Sequence, residues 1–259
     1  PPREPAPEPT GPLGVSDIIG AERVAGVAFT PEEREQMLPA LRAALPGYDR
    51  RRAMDIPNET GPACVFAPLD PGRSAVPDGG FAAPGEARPL PESGADIAFA
   101  PAWEQAVWVR RREITSERLT RIYLDRLQRH APALQCVVTM TPELALRQAR
   151  AFDAESQGNS RPRSALHGVP CGVKDLFDTA GIRTTYGAAP FKDRVAERDA
   201  WIVDRLESAG CPLLCKLTLG ALAYGDIWFG GRTNNPFNTQ QGSSGSSAGS
   251  AAAAVAGLV

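Results

Sequence analysis

Residues 96–259 predict an α/β fold in which a sheet is layered with helices. Two features carry that expectation. Apolar residues at helical spacing alternate with short β-prone runs, and several helical stretches open on a residue able to cap them. The preceding residues differ in texture. The chain therefore divides into a helical and irregular extension over 1–56, a Pro/Gly-rich connection over 57–95 and the α/β domain over 96–259. No internal repeat is present.

In the extension, Pro1 to Pro12 reads as a disordered tether, and a helix follows. Thr30-Pro31-Glu32-Glu33 puts threonine at the N-cap, proline at the first helical position and glutamate in the capping-box place. Met37, Leu38, Leu41 and Leu45 then share one face, and Pro39 predicts a kink or two short helices. The connection holds eight Pro and six Gly in 39 residues, too many for ordinary packed elements, so it reads as irregular.

Within the domain, Thr115 or Ser116 can cap a helix carrying Leu119, Ile122, Tyr123 and Leu127 on its apolar face. Cys136 to Met140 is a short β-prone run. Thr141-Pro142-Glu143 opens a second helix to about Glu155, with Leu144, Ala145, Ala149 and Phe152 inward. Val169 to Val173 forms a short apolar strand leading to Lys174. Asp199 is expected to cap a third helix, carrying Ile202, Val203 and Leu206, which Gly210 closes. Pro212 to Cys215 follows as a buried strand, and Asn235 to Gly242 reads as polar loop.

Composition narrows the function classes. The 42% hydrophobic and 22% charged content excludes wholesale disorder. A net charge of −2 with scattered basic residues gives no electrostatic reason to expect nucleic acid or an anionic membrane. No apolar run approaches the roughly 18 residues of a membrane span. The five cysteines form no paired framework. On a strand Cys211 and Cys215 would lie about 13 Å apart, too far for a disulfide. With only His130 and His167 to assist them, the cysteines read as small buried apolar residues rather than metal ligands. Such usage fits a reducing compartment. The chain opens on Pro1 rather than Met, and a Pro-rich tether can follow an export signal, so cytoplasmic and exported locations both stay open. No oligomeric state is read from the sequence. No phosphate-cradling or dinucleotide glycine pattern stands between a strand and a helix, and no zinc-protease helix motif occurs, so no cofactor and no metal are expected.

Two segments carry the candidate chemistry. Lys174 ends its strand, which can present the amine inward while Asp175 points the other way. Seventy-two residues later, Gly245-Ser246-Ser247-Ala248-Gly249-Ser250 runs into an Ala/Val stretch. A linker or cloning scar would join two folded units, whereas this one enters a strong helix former. Glycine and serine at a helix N-terminus offer backbone N–H groups and small side chains to a ligand. Gly245 to Gly249 also matches the nucleophile elbow of α/β-hydrolases, with Ser247 as nucleophile. That motif must follow a strand and needs a histidine downstream; both histidines here lie upstream.

The segments occur in a telling order. Ile114-Thr115-Ser116, His167-Gly168-Val169-Pro170 with Val173-Lys174-Asp175, Gly181 to Gly187, Leu214 to Thr218, Arg232 to Asn238 and then the Ser/Gly stretch resemble the amidase signature family over roughly residues 100–259. The resemblance implies a mixed-sheet α/β/α fold and amide hydrolysis through a Ser–cisSer–Lys triad. It places the base at Lys174 and the bridging serine at Ser246, behind a cis Gly245–Ser246 peptide. Gly245 and Ser247 flank that serine in the substrate and oxyanion region. The nucleophilic serine is expected some two dozen residues past Ser246, beyond Val259. The family's Gly-Gly-Ser-Ser-Gly-Gly-Ser stands here as Ser244 to Ser250, with Ser and Ala replacing two glycines. The expected partner is a small-molecule amide. The alternatives are a catalytically inactive amidase-like fragment and a glutamine-dependent amidotransferase A-type subunit.

The physical requirement can be stated independently. A serine hydroxyl is a poor nucleophile until a base takes its proton. Lysine can do so only when neutral, so its pKa, ordinarily about 10.4, must fall by about three pH units. Burial with no carboxylate partner acts in that direction. A bridging hydroxyl can then pass the proton, because it both donates and accepts.

Overall fold

The computed structural model describes residues 11–57, 59–61, 85–157 and 161–259. The chain divides into two compact units, Pro1–Asp78 and Gly79–Val259. Most of the irregular connection and all but two residues of the Pro1 to Pro12 tether lie outside the described residues.

Among its described residues the first unit holds two helices, α1 (Val15–Ala25) and α2 (Pro31–Arg52). Thr30 caps α2 as its sequence requires: Thr30 Oγ1 accepts the Glu33 N–H at 3.2 Å, and Glu33 Oε2 accepts the Thr30 N–H at 2.7 Å. The alternative of two short helices divided at Pro39 is corrected, because α2 runs unbroken through Pro39 and Pro46. The residues around Pro39 are strong helix formers, and the exposed helix can give up a hydrogen bond to water. α1 lies beyond the Pro1 to Pro12 tether, in a stretch to which the sequence pattern assigned no particular helix. Asp17 anchors it by accepting the Gly14 N–H at 2.8 Å.

Among the described residues the second unit opens with α3 (Gly94–Ala98) and α4 (Ala102–Arg110). Ser93 caps α3, its Oγ accepting from Ala95 and Asp96. α5 (Ser116–Leu134) starts at the Thr115 cap and buries Leu119, Tyr123 and Leu127. β1 (Val137–Met140), α6 (Pro142–Gln157), β2 (Cys171–Lys174), α7 (Trp201–Ser208) and β3 (Leu213–Leu217) follow.

The three strands form one sheet in the order β1-β3-β2, with β1 antiparallel and β2 parallel to the central strand. The sheet is therefore mixed. Every residue of β3 is buried, which is why its sequence reads as a continuous apolar run interrupted only by Lys216. Helices cover the sheet through two apolar clusters. One joins Leu119, Leu127, Leu214, Leu217, Ala252 and Ala253. The other joins Val173, Leu213 and Val203 of α7.

Two local expectations are corrected. α7 is capped by Ala200 without a side-chain bond, because the Asp199 carboxylate instead accepts the Ala180 N–H at 2.6 Å. Asn235 to Gly242 is not loop. β4 (Ile227–Trp228) pairs with β5 (Gly231–Arg232), and β6 (Asn234–Asn235) pairs with β7 (Asn238–Gly242). β7 is exposed along nearly its whole length, so it carries no apolar alternation to reveal it. Asn235 Oδ1 accepts the Phe237 N–H at the turn.

The last element, α8 (Ala248–Val255), is seated hard against β3. Gly249 N donates to Thr218 O at 2.9 Å, and a β-carbon at Gly249 would collide with Cys136 O and Thr218 N. A Gly249→Ala protein should therefore lose about 1–3 kcal/mol, read as a lower midpoint in thermal unfolding; an unchanged midpoint would mean that α8 does not approach so closely.

Candidate active site

Lys174 stands at the end of β2, where Asp175 N donates to Leu217 O at 2.8 Å and continues the parallel ladder. Its amine reaches across to the loop between β7 and α8. Lys174 Nζ donates to Ser246 Oγ and to Ser247 Oγ, each at 2.9 Å. The Gly245–Ser246 peptide is cis. Lys174 and Ser246 are half-buried, and Ser247 is exposed.

The serine loop is positioned from three sides. Ser244 takes a left-handed backbone (φ 63°), and its N–H is held by Asp226 Oδ2 at 3.0 Å. Gly245 lies backbone to backbone against Gly225, whose carbonyl any β-carbon there would strike. Beyond Ser247, the docking of Gly249 on Thr218 fixes where α8 begins, and Thr218 Oγ1 is itself paired with Thr233 Oγ1 at 2.6 Å. All four residues named from the sequence, Lys174, Gly245, Ser246 and Ser247, thus meet in one place.

Burial pushes the Lys174 pKa below the ordinary lysine value, and among the described residues no carboxylate contacts the amine to oppose it. A neutral amine has two N–H donors and one lone pair, so it can donate to one serine while accepting from the other. The arrangement can therefore hold a proton between nitrogen and hydroxyl.

The carboxylate next in sequence faces elsewhere. Asp175 is fully buried, and its Oδ2 accepts from Thr185 N at 2.8 Å and from Thr185 Oγ1 at 2.5 Å. Asp175 Oδ1 lies 3.2 Å from Lys216 Nζ, off hydrogen-bond alignment, and has no other partner among the described residues. Lys216 is equally buried, donating to Phe177 O at 2.9 Å and Thr184 Oγ1 at 2.8 Å. Burial lowers its pKa, with Asp175 pulling the other way. Sequence reasoning assigned this pair no role, although a lysine inside Leu213-Leu214-Cys215-Lys216-Leu217 is the signal that could have found it.

The strand that the elbow motif requires is supplied by β7, contrary to the polar-loop expectation, but the side chain at Ser247 is Lys174 rather than either histidine. His167 Nε2 lies 3.2 Å from both Ser156 Oγ and Phe152 O, and His130 is exposed on α5, whereas Ser247 contacts Lys174. Among the described residues no group of three His, Cys, Asp or Glu side chains could hold a metal ion. Burial raises the thiol pKa of Cys136 and Cys211 to about 11, so both stay protonated and unreactive. No described helix is long and apolar enough to cross a membrane.

A mixed α/β sheet presenting a lysine to a paired serine at a helix start defines a class, and comparison supplies the family. The model of the Amidase family matches residues 118–259, more than half of the chain, and the chain belongs to that family. It is similar to the A-type subunit of the glutamyl-tRNA(Gln) amidotransferase of Methylococcus capsulatus, 41% identical over 160 residues, covering 60% of this chain and 32% of that one. Among solved structures it is similar to the native peptide amidase of Stenotrophomonas maltophilia, with a TM-score of 0.54, 32% identity and coverage of 60% and 33%. A bacterial aryl acylamidase of the amidase signature family superposes with a TM-score of 0.60 at 25% identity, covering 63% and 35%. The chain spans about a third of the length of the curated relatives it matches.

The depressed Lys174 pKa has a thermodynamic consequence. The folded chain sheds that proton more readily than the unfolded chain, so stability rises with pH between the depressed and the ordinary lysine value. Any stability deficit of the native protein against Lys174→Met should narrow as pH climbs through that window in parallel thermal melts; a gap constant with pH would show an unperturbed amine.

Proposed function

We propose that the full-length protein containing this chain hydrolyses a carboxylic amide through a serine acyl-enzyme, with Lys174 as base and Ser246 as the bridging hydroxyl. The observation that carries this reading is the pair of 2.9 Å contacts from an amine without a carboxylate partner to Ser246 and Ser247. The nucleophilic serine is the one the resemblance places beyond Val259. As that serine attacks the carbonyl carbon, Ser246 Oγ accepts its proton and passes its own to Lys174 Nζ. The ammonium then returns the proton through the same hydroxyl to the leaving nitrogen as the C–N bond breaks. Water repeats the sequence on the acyl ester and releases the acid. Lysine suits both directions, because burial brings its pKa toward the working pH.

Gly245 and Ser247 are placed at the substrate side of this relay. The exposed Ser247 hydroxyl is the second anchor of the amine, and its exposure supports a substrate-side role on this reading. The substrate is read as a non-peptide amide. Similarity to a peptide amidase makes a peptide amide a necessary member of the assay panel.

A second reading has its own support, since the curated relatives are named as A-type subunits of glutamyl-tRNA(Gln) amidotransferases. On that reading the same lysine–serine pair releases ammonia from an amide for transfer, and the protein works with a co-subunit. Hydrolysis of free amides by the purified protein alone supports the amidase; strict dependence on a co-purifying partner supports the transferase.

In the full-length protein, Lys174→Ala and Ser246→Ala should each lower amidase kcat/KM by about 10²-fold or more. Unchanged rates in both would refute the assignment. The native kcat/KM should rise with pH and level off below the ordinary lysine pKa, because only the neutral amine is active. The 259-residue chain alone should hydrolyse no amide, and turnover by it would show that the nucleophile lies within these residues.

A further inference from the structure

Lys174 and Asp175 are adjacent in sequence, yet only Lys174 faces the serines. Strand alternation sends their side chains to opposite faces. On the serine face Lys174 meets two neutral hydroxyls. On the other face Asp175 meets Lys216, which the β-ladder pairs with Val173, one residue before Lys174. The ion pair thus crosses the strand end diagonally, directly behind the candidate base. Lys216 Nζ also ties down Phe177 O and Thr184 Oγ1, and Asp175 Oδ2 ties down Thr185. The turn that follows Lys174 is therefore pinned to β3 by one buried charge.

We propose that Lys216 is a positioning residue for Lys174: its ammonium engages the Asp175 carboxylate behind the strand, holding the end of β2 and keeping that carboxylate from pairing with the Lys174 amine. The proposal rests on the reading of Lys174 as the base. Asp175 Oδ1 has no hydrogen-bond partner other than this ion contact. Without Lys216 it becomes a buried, uncompensated negative charge one residue from an amine that must stay neutral, and an adjacent carboxylate favours the ammonium form.

Two other carboxylates on the neighbouring turns have partners of their own. Asp178 is paired with Arg194 on the turn beyond Asp175, at 2.7 Å. Asp226 holds the Ser244 N–H beside the serine loop. α8 carries no titratable residue. Asp175 is thus held behind the strand by Thr185 on one oxygen and by the Lys216 charge on the other.

Lys174, Lys192 and Lys216 are the only lysines in the 259 residues, and Lys192 is exposed. Pulse acetylation of the full-length protein with acetic anhydride across about pH 6 to 11, read by peptide-resolved mass spectrometry, then gives the titration midpoint of Lys174 against Lys192. Lys216→Met should raise the Lys174 midpoint by about one pH unit or more, an about tenfold fall in neutral amine at a given pH. Lys216→Met with Asp175→Asn should restore it, which a purely structural role for Lys216 would not do. An unchanged midpoint in the single variant, or a rise that persists in the double variant, overturns the proposal. Should the single variant fail to fold, Asp175→Asn reads the same coupling: a lowered midpoint, from the Lys216 ammonium left unopposed behind the strand, supports it, and an unchanged or raised one overturns it. If the midpoints do not move while Lys174→Ala still abolishes turnover, this proposal alone falls; if they move as expected while Lys174→Ala remains active, the amidase reading falls.

Discussion

Three successive residues at the end of the central strand hold the two halves of the site together. Lys216 fixes the turn after Lys174, Leu217 pairs with Lys174 across the ladder, and Thr218 receives the Gly249 N–H at the start of α8. Lys174 and Ser246 are 72 residues apart, so nothing local brings them to 2.9 Å. The contact exists because β3 is wholly buried and cannot shift without disturbing both neighbours. The glycine at 249 then determines how closely the serine loop can approach.

Electrostatics divides the labour between two lysines in a chain whose positive charge, apart from these and the exposed Lys192, comes from arginine. An arginine stays protonated in proteins, so it could not act as a base. Lys174 faces hydroxyls and is pushed toward neutrality by burial; Lys216, still more buried, faces a carboxylate that opposes the same push. Side chains of one chemical type thus take different roles from their surroundings alone.

Much of the domain was legible because its elements bury one face each. Leu119, Tyr123 and Leu127 announce α5 by their spacing, and Ala145, Ala149 and Phe152 announce α6. The site was legible because Lys174 and Ser246 each sit in a distinctive short motif, in a fixed order. What escaped has physical reasons. β7 is exposed and polar, so it has no alternation to read. α3 and α4 are short, and α4 is held by long-range bonds such as Trp108 Nε1 to Arg88 O at 2.7 Å rather than by a capping side chain. Asp199 has the residue type of a helix cap, but a partner from a distant turn claims its carboxylate. The Asp175–Lys216 pair is a relation between strands, which no single segment discloses.

The mechanism stands on the proton carried, or not carried, by one nitrogen. The most direct measurement is an NMR titration of the full-length protein with isotope-labelled lysine, following the Lys174 ε-carbon and ζ-nitrogen resonances. A working base at this position should lose its proton well below the exposed Lys192, and the Lys174 resonances should change when Ser246 is replaced by alanine. A Lys174 amine that titrates together with Lys192, and is indifferent to Ser246, would contradict it.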